Sequence, residues 1–440
     1  IVLGLLAPRL VGAEPSVSNR IANWHQWRGP LGTGEAPDAD PPSVWKFAAG
    51  ESQNITWKVK IPGKGHSTPI VSGDLIFVAT AVPVGEEFAP RYSSAPGAHD
   101  NAPVTQAHEF VVVAVDRSTG TIRWKKTVNS TIPHEGAHIS ASLASGSPIS
   151  DGERVYAFFG SHGLYCLNFD GDVLWSKSFG PMSSKHGHGE GSSPAIHGKS
   201  IVVNWDHEKQ SFITSLDSKT GEENWRQNRD EVTSWSSPLI YEHAGVHQVI
   251  VPGTRRIRSY DLRNGRLIWE CGGLSANVVA TPVAADGMVY VASSYDTRKM
   301  MGIRLEGARG DITDTDQVVW SRRQRTPYVP SPLLYKGTLY FLRHYQGIMS
   351  RVEAKSGEER FAPFRLGPIR NVYSSPIAAQ DRIYVSDLDG ITVVFSHGEI
   401  PRLIAVNTVG EPICASLVAV GKELYIRGET HLFRIETSSE

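Results

Sequence analysis

The feature that most constrains this chain is a two-part unit that recurs along almost its whole length. One part is the stretch Ala114-Val115-Asp116-Arg117-Ser118-Thr119-Gly120-Thr121-Ile122-Arg123-Trp124. An apolar strand ends at Asp116, whose carboxylate can accept N–H groups of the turn. Gly120 can take a positive φ, and a second strand runs to Trp124. Copies lead to Trp175, Trp225, Trp269 and Phe361 through turns carrying Gly171, Gly221, Gly265 and Gly357. The other part precedes it: a Ser-Pro step, an apolar pair, a small turn with Gly and an alternating strand. Its prolines are Pro69, Pro148, Pro194, Pro238, Pro282, Pro332 and Pro376, with Leu417 in the eighth copy. Apart from a longer first interval the spacing is roughly 40–50 residues, the period of β-propeller blades.

The repeat predicts an all-β fold, an eight-bladed β-propeller of four-stranded antiparallel blades. Length alone would suggest two or three domains, but such arrays grow by adding units that bury their faces against neighbours, so one propeller over 55–440 is expected. Ile55-Thr56-Trp57-Lys58-Val59 reads as an outer strand without its blade, and Ala415 to Ile435 as a blade without its outer strand. Each completes the other. An N-terminal strand completing the last blade closes the ring and removes an exposed edge. Residues 1–13 read as a truncated signal peptide with cleavage after Ala13, which implies an exported, periplasmic protein with no transmembrane segment after cleavage. Residues 14–54 form an irregular arm whose tryptophans, Trp24 and Trp27, are expected to pack on the propeller. An insertion at 81–108 in the first blade is long enough to be functional or mobile.

A formal net charge of -1 and the lack of a polybasic run argue against nucleic-acid binding. Cys166, Cys271 and Cys414 are too few and too dispersed for a disulfide framework or a CxxC-type zinc site, and read as buried free thiols.

The pattern matched in full by Ala114, Asp116, Thr119, Gly120 and Trp124 resembles the tryptophan-docking repeat of the pyrroloquinoline-quinone (PQQ) propellers. The arm Trp24-x-Gln26-Trp27-Arg28-Gly29 is similar to the start of exported BamB-like proteins of that superfamily. In the family the tryptophans wedge between blades. The BamB-like branch implies a non-catalytic scaffold with protein partners in the bacterial cell envelope, in outer-membrane assembly, expected here as a monomer without cofactor. The other branch implies a quinoprotein oxidoreductase. Its members hold PQQ against adjacent, disulfide-bonded cysteines and a stacking tryptophan, with calcium on Glu and Asn and a catalytic Asp. No two cysteines are adjacent here, and no Glu, Asn and Asp set is assignable from sequence, so PQQ with calcium stands as the alternative.

Sixteen histidines are many. His134, His138, His186 and His188 are candidate metal ligands by proximity in sequence; the competing reading is rings that bond strand ends. In a four-stranded meander the first and third turns of each blade share one face, and these are monotonous. The second turns and the links between blades share the other face, where the units differ. Polar and aromatic residues converge there: His138, His188, Trp205, Asp206, Trp235, Arg255, Asn277, Tyr295, Asp296, Arg343, His344, Asn371, Tyr373 and Asp387. Solvated loop ends are the bland explanation. Loops on a rigid scaffold are also where binding residues concentrate, and His138, His188, Trp235, Arg255, Asn277, Asp296, His344, Tyr373 and Asp387 are the candidate ligand- or partner-binding set. No catalytic residue is assignable.

Overall fold

The computed structural model describes residues 22–48 and 51–437; the predicted signal peptide and the start of the arm lie outside the described residues. Eight sheets form the propeller. The first blade comprises Ile70–Ser72, Leu75–Val84, Ala107–Asp116 and Ile122–Thr131. The second to seventh begin at Ile149, Ala195, Leu239, Val283, Leu333 and Ile377. The eighth takes Val418–Val420, Glu423–Arg427 and His431–Ile435 from the end of the chain. Its outer strand is Ile55–Lys60, antiparallel to His431–Ile435. The two fragments complete one blade as expected.

The Ser-Pro step has a purpose that periodicity does not reveal. Thr68 N–H donates to Ser147 Oγ, Ser147 to Ser193, Ser193 to Ser237, Ser237 to Thr281, Thr281 to Ser331, Ser331 to Ser375, Ser375 to Ser416, and Ser416 back to Thr68. The eight bonds span 2.8–3.1 Å and form a closed circuit around the channel. Each pairs a buried N–H that the short inner strand cannot satisfy. Proline removes the next donor, so one hydroxyl per blade completes the pairing.

At the rim, tryptophans lock successive blades. Trp57, Trp124, Trp175, Trp225 and Trp320 donate Nε1–H to the carbonyls of Arg117, Phe169, Ser218, Leu262 and Ala354. Each ring covers the turn glycine of the next blade. A Cβ on Gly120 would sit 2.6 Å from Trp57, and φ there is +73°. Glycine is therefore required both for conformation and for the close approach.

Three of the eight junctions depart from the repeat: the outer strand of blade seven, Leu403–Thr408, carries no aromatic, and two others replace the docked indole. Trp269 finds no such turn, because the corresponding loop of the fifth blade is long. Gly310–Asp311 from that loop adds a fifth, parallel strand beside Trp269 and Glu270, and Trp269 Nε1 donates to Gln248 instead. Phe361 is not the strand aromatic that the repeat predicts. The outer strand of blade six is only Phe364–Arg365. Arg351, with its guanidinium 4.7 Å from the Phe361 ring, donates to the carbonyls of Gly398 and Glu399 in the next blade. A planar cation with two donors replaces the indole there.

The arm enters the channel. Its backbone pairs with the free edges of inner strands: Trp24 with Val71, His25 with Ser150, Thr33 with Leu334, and Gly34 and Ala36 with Ala378. Trp24 is buried in the core, as expected of it, and Arg28 is buried with it, donating to the carbonyls of Thr33, Pro332 and Pro376. Burial pushes the Arg28 guanidinium down to about 9. Backbone groups that would otherwise face the channel are satisfied, and the channel is closed at that level.

Candidate functional site

Above the arm, on the face of the variable loops, lies a cavity of about 500 Å³. Its floor includes Trp27 and hydroxyls of the interblade circuit, among them Thr68, Ser147, Ser193, Ser375 and Ser416. One wall is a continuous aromatic band. Tyr295 stacks on Tyr328 at 5.9 Å, Tyr328 meets His344 at a tilt at 4.5 Å, His344 stands edge-on to Tyr345 at 4.4 Å, and Tyr345 stacks on Tyr373 at 5.8 Å. These rings come from the second turns of blades five and six and the links that follow those blades, which puts residues distant in sequence side by side.

The opposite wall is built by the insertion. Asn101–Ala102 pairs with Ala137–His138, and Asn101 Nδ2 donates to the His186 carbonyl. His99 is thereby set against His186 at 4.9 Å and His188 at 4.8 Å, with His138 4.8 Å from His188. Burial, then the charges of His138, His99 and His186, holds the His188 imidazole down at about 4. Burial also lowers His138 and His344, and takes His66 down to about 3. The phenols move the other way: burial pushes Tyr328 up to about 12 and raises Tyr373. These groups are neutral near pH 7.

Among the described residues no three His, Cys, Asp or Glu are grouped so as to hold a metal ion. Of the metal candidates, His134 turns Nε2 to the Met182 carbonyl at 2.8 Å, and His138 turns Nδ1 to Ser140 at 2.7 Å. His186 and His188 pack against His99 and each other in tilted and edge-on contacts.

Of the candidate binding residues, His138, His188, Trp235, Asn277, His344 and Tyr373 line the cavity. Arg255, Asp296 and Asp387 do not. Arg255 caps the Asp230 carbonyl. Asp296 accepts from Ser275 Oγ and the N–H groups of Ala276 and Thr297. Asp387, 0% exposed, ties down the N–H groups of Arg370, Asp389 and Ile391. Carboxylates in such turns anchor the backbone. Trp205 is core, and Asp206 is the buried partner of Arg229 at 2.7 Å.

Sequence reasoning missed His99 and Asp100, which only the fold of the insertion brings to the cavity, and it missed Glu190. This carboxylate lines the cavity and a small inner recess of about 40 Å³. It accepts from Ser161 N–H and Oγ, both at 2.5 Å, yet burial pushes its carboxyl up. Sequence offered one signal, a lone acid at the end of the His186-Gly187-His188-Gly189-Glu190 loop.

An eight-bladed ring closed by its own N-terminal strand, with tryptophans docked on turn glycines and variable loops around one cavity, defines a protein of the PQQ-like propeller class. The model of the family described as outer membrane protein assembly factor BamB matches residues 108–362, and the chain belongs to that family. No curated protein matches the sequence. Among solved structures, BamB from Moraxella catarrhalis is similar with a TM-score of 0.55 at 14% identity, over 81% of this chain and 98% of that one. A europium-containing methanol dehydrogenase gives 0.67 at 10% identity, over 94% of this chain and 98% of that one. Quinohemoprotein alcohol dehydrogenase from Comamonas testosteroni gives 0.65 at 10%, over 96% and 81%. At these identities the likeness is one of fold, shared by an assembly factor and by enzymes.

Proposed function

We propose that the protein is an exported, non-catalytic binding scaffold of the bacterial cell envelope that engages protein partners through its variable-loop face. The observation that carries this reading is the asymmetry of the two faces. One repeats the same glycine turns, whereas the other gathers Trp235, His344 and Tyr373 around a cavity. Loops on a rigid scaffold are where recognition concentrates. Among the described residues no helix is long and apolar enough to cross a membrane. To test it, Trp235, His344 and Tyr373 are each replaced by Ala and partner capture from the envelope fraction is compared with Lys199→Ala, Lys219→Ala and Glu358→Ala on the opposite face. Capture should fall only in the first set. Loss confined to the second set would refute the placement.

The alternative, a quinoprotein oxidoreductase, draws on one specific observation: Glu190, Trp235 and Asn277 share the cavity. The residues present do not fit PQQ with calcium. Both Glu190 oxygens are taken by Ser161, the lining contains no Lys or Arg to meet carboxylates of the quinone, and Cys414 is its only cysteine. Dye-linked alcohol oxidation after reconstitution with PQQ and calcium separates the two readings; saturable turnover would overturn the scaffold.

A further inference from the structure

We infer that the cavity is a binding site for a neutral, polyhydroxylated ligand, a saccharide, held between the tyrosine band and the histidine wall above the hydroxyl floor. The inference rests on the reading of the variable-loop face as the working face, and deepens it by naming a ligand class.

Size and closure come first. A cavity of about 500 Å³ falls within the ~300–1,000 Å³ of small-molecule sites, and the arm stops the channel beneath it. Charge comes next. The lining has no Lys or Arg, and its acids are Asp100 and Glu190, the latter engaged with Ser161 and pushed toward its neutral form. Arg28 lies below the floor with its Nη atoms turned to three carbonyls. A desolvated anion would find no lining counter-charge, and burying an unpaired charge is costly.

Apolar surface makes up the larger part of the walls, and apart from Asp100, Glu190, Asn277 and Trp235 the polar side chains set into it are imidazoles, phenols and hydroxyls. The imidazoles of His66, His138, His188 and His344 and the phenols of Tyr328 and Tyr373, which burial holds neutral, and the Ser or Thr hydroxyls each both donate and accept. An apolar ligand would strip water from them without replacing its hydrogen bonds, which costs more than the contact returns. A ligand hydroxyl also donates and accepts, so a polyol is their complement. Asn277 adds a further demand. It is 2% exposed, engages Tyr328 through its side chain, and its Oδ1 has no partner within the protein. The unmet group at this wall is an acceptor.

The aromatic band distinguishes a sugar from an organic cation. A cation cage needs ring faces surrounding one point. Here the rings follow one another along one wall, with His344 edge-on to Tyr345 and Tyr345 parallel to Tyr373 within 6°. What remains is a strip of offset faces and hydroxyl edges, suited to the polarised C–H face of a pyranose.

The test titrates the full chain with maltotriose, cellotriose and tri-N-acetylchitotriose by calorimetry and saturation-transfer NMR, with choline and a trigalacturonate as charged controls. At least one neutral trisaccharide should bind with a Kd of ~1 mM or tighter. Tyr345→Phe and Tyr373→Phe, which keep the rings and remove the hydroxyls, should each weaken it about three- to tenfold, with unchanged melting curves. Absence of binding by every neutral saccharide, preference for either charged control, or unchanged affinity in both Phe variants would overturn the proposal. The titration needs no protein partner, so its failure leaves partner capture intact, and failed capture leaves the titration intact.

Discussion

At the residue scale, the hydroxyl circuit shows how one side chain per blade can hold a ring together. Ser193 accepts the buried N–H of Ser147 and passes its own N–H to Ser237. Ser193→Ala should leave one buried donor unpaired at a cost of about 1–3 kcal/mol, read from denaturant unfolding at constant slope. Equal stability would mean that the circuit is geometric only. Histidines set the acid response. Burial holds His66 at about 3 and His162 and His188 at about 4, against an unfolded value near ~6.5. Between those values the unfolded chain binds more protons than the folded one, so stability should be flat above pH ~6.5 and fall as the pH drops toward 4. Melting temperatures across that range check the sign. His188→Asn should flatten the fall in part.

At the scale of elements, the docked tryptophans differ in burial, and their cost should follow it. Trp225 is 8% exposed and closed over Gly265, whereas Trp57 on the closing strand is only partly buried. Trp225→Ala should cost about 3–5 kcal/mol, and Trp57→Ala less, because part of its ring is already in water. Equal costs would show that closure adds something beyond ring burial. The insertion is separable from the sheet that carries it. Val84 pairs directly with Ala107 at the base of the long hairpin. Replacing 85–106 by Asn-Gly, a two-residue turn suited to such a hairpin, should leave the propeller folded while removing His99 and Asp100 from the cavity. Loss of the far-ultraviolet strand signal would show that the insertion is needed to fold.

At the scale of the whole molecule, both ends of the chain meet in one blade, and the arm links inner strands on opposite sides of the channel. Such a ring should unfold as one cooperative unit, unlike an open repeat array. Cys166 and Cys271 are buried free thiols and Cys414 is half-buried, with Cys166 and Cys414 pushed up to about 12 by burial. Thiol counting should give three per chain in denaturant without reductant, and almost no reaction in the folded state at pH 7. Fast labelling of Cys414 before unfolding would mean that the eighth blade opens locally.

The sequence by itself determined the number of blades, the strand that closes them and the face on which the loops vary. These are written in local signals: a turn aspartate, a glycine with positive φ, an aromatic at fixed spacing, each legible without knowing its neighbour. Six candidate residues reached the cavity, five because links between blades must pass around its mouth and His344 from the second turn of blade six. Arg255, Asp296 and Asp387 lie in second turns, as His344 does, yet bind backbone groups, and no spacing rule separates an anchoring side chain from a lining one. Only tertiary structure decided that the insertion brings His99 beside His188, that Arg351 does the work of a missing tryptophan, and that the arm turns a channel into a pocket. Those outcomes depend on contacts between residues far apart in the chain. The free energy of such contacts comes from burial and hydrogen bonding that exist only once the ring has closed.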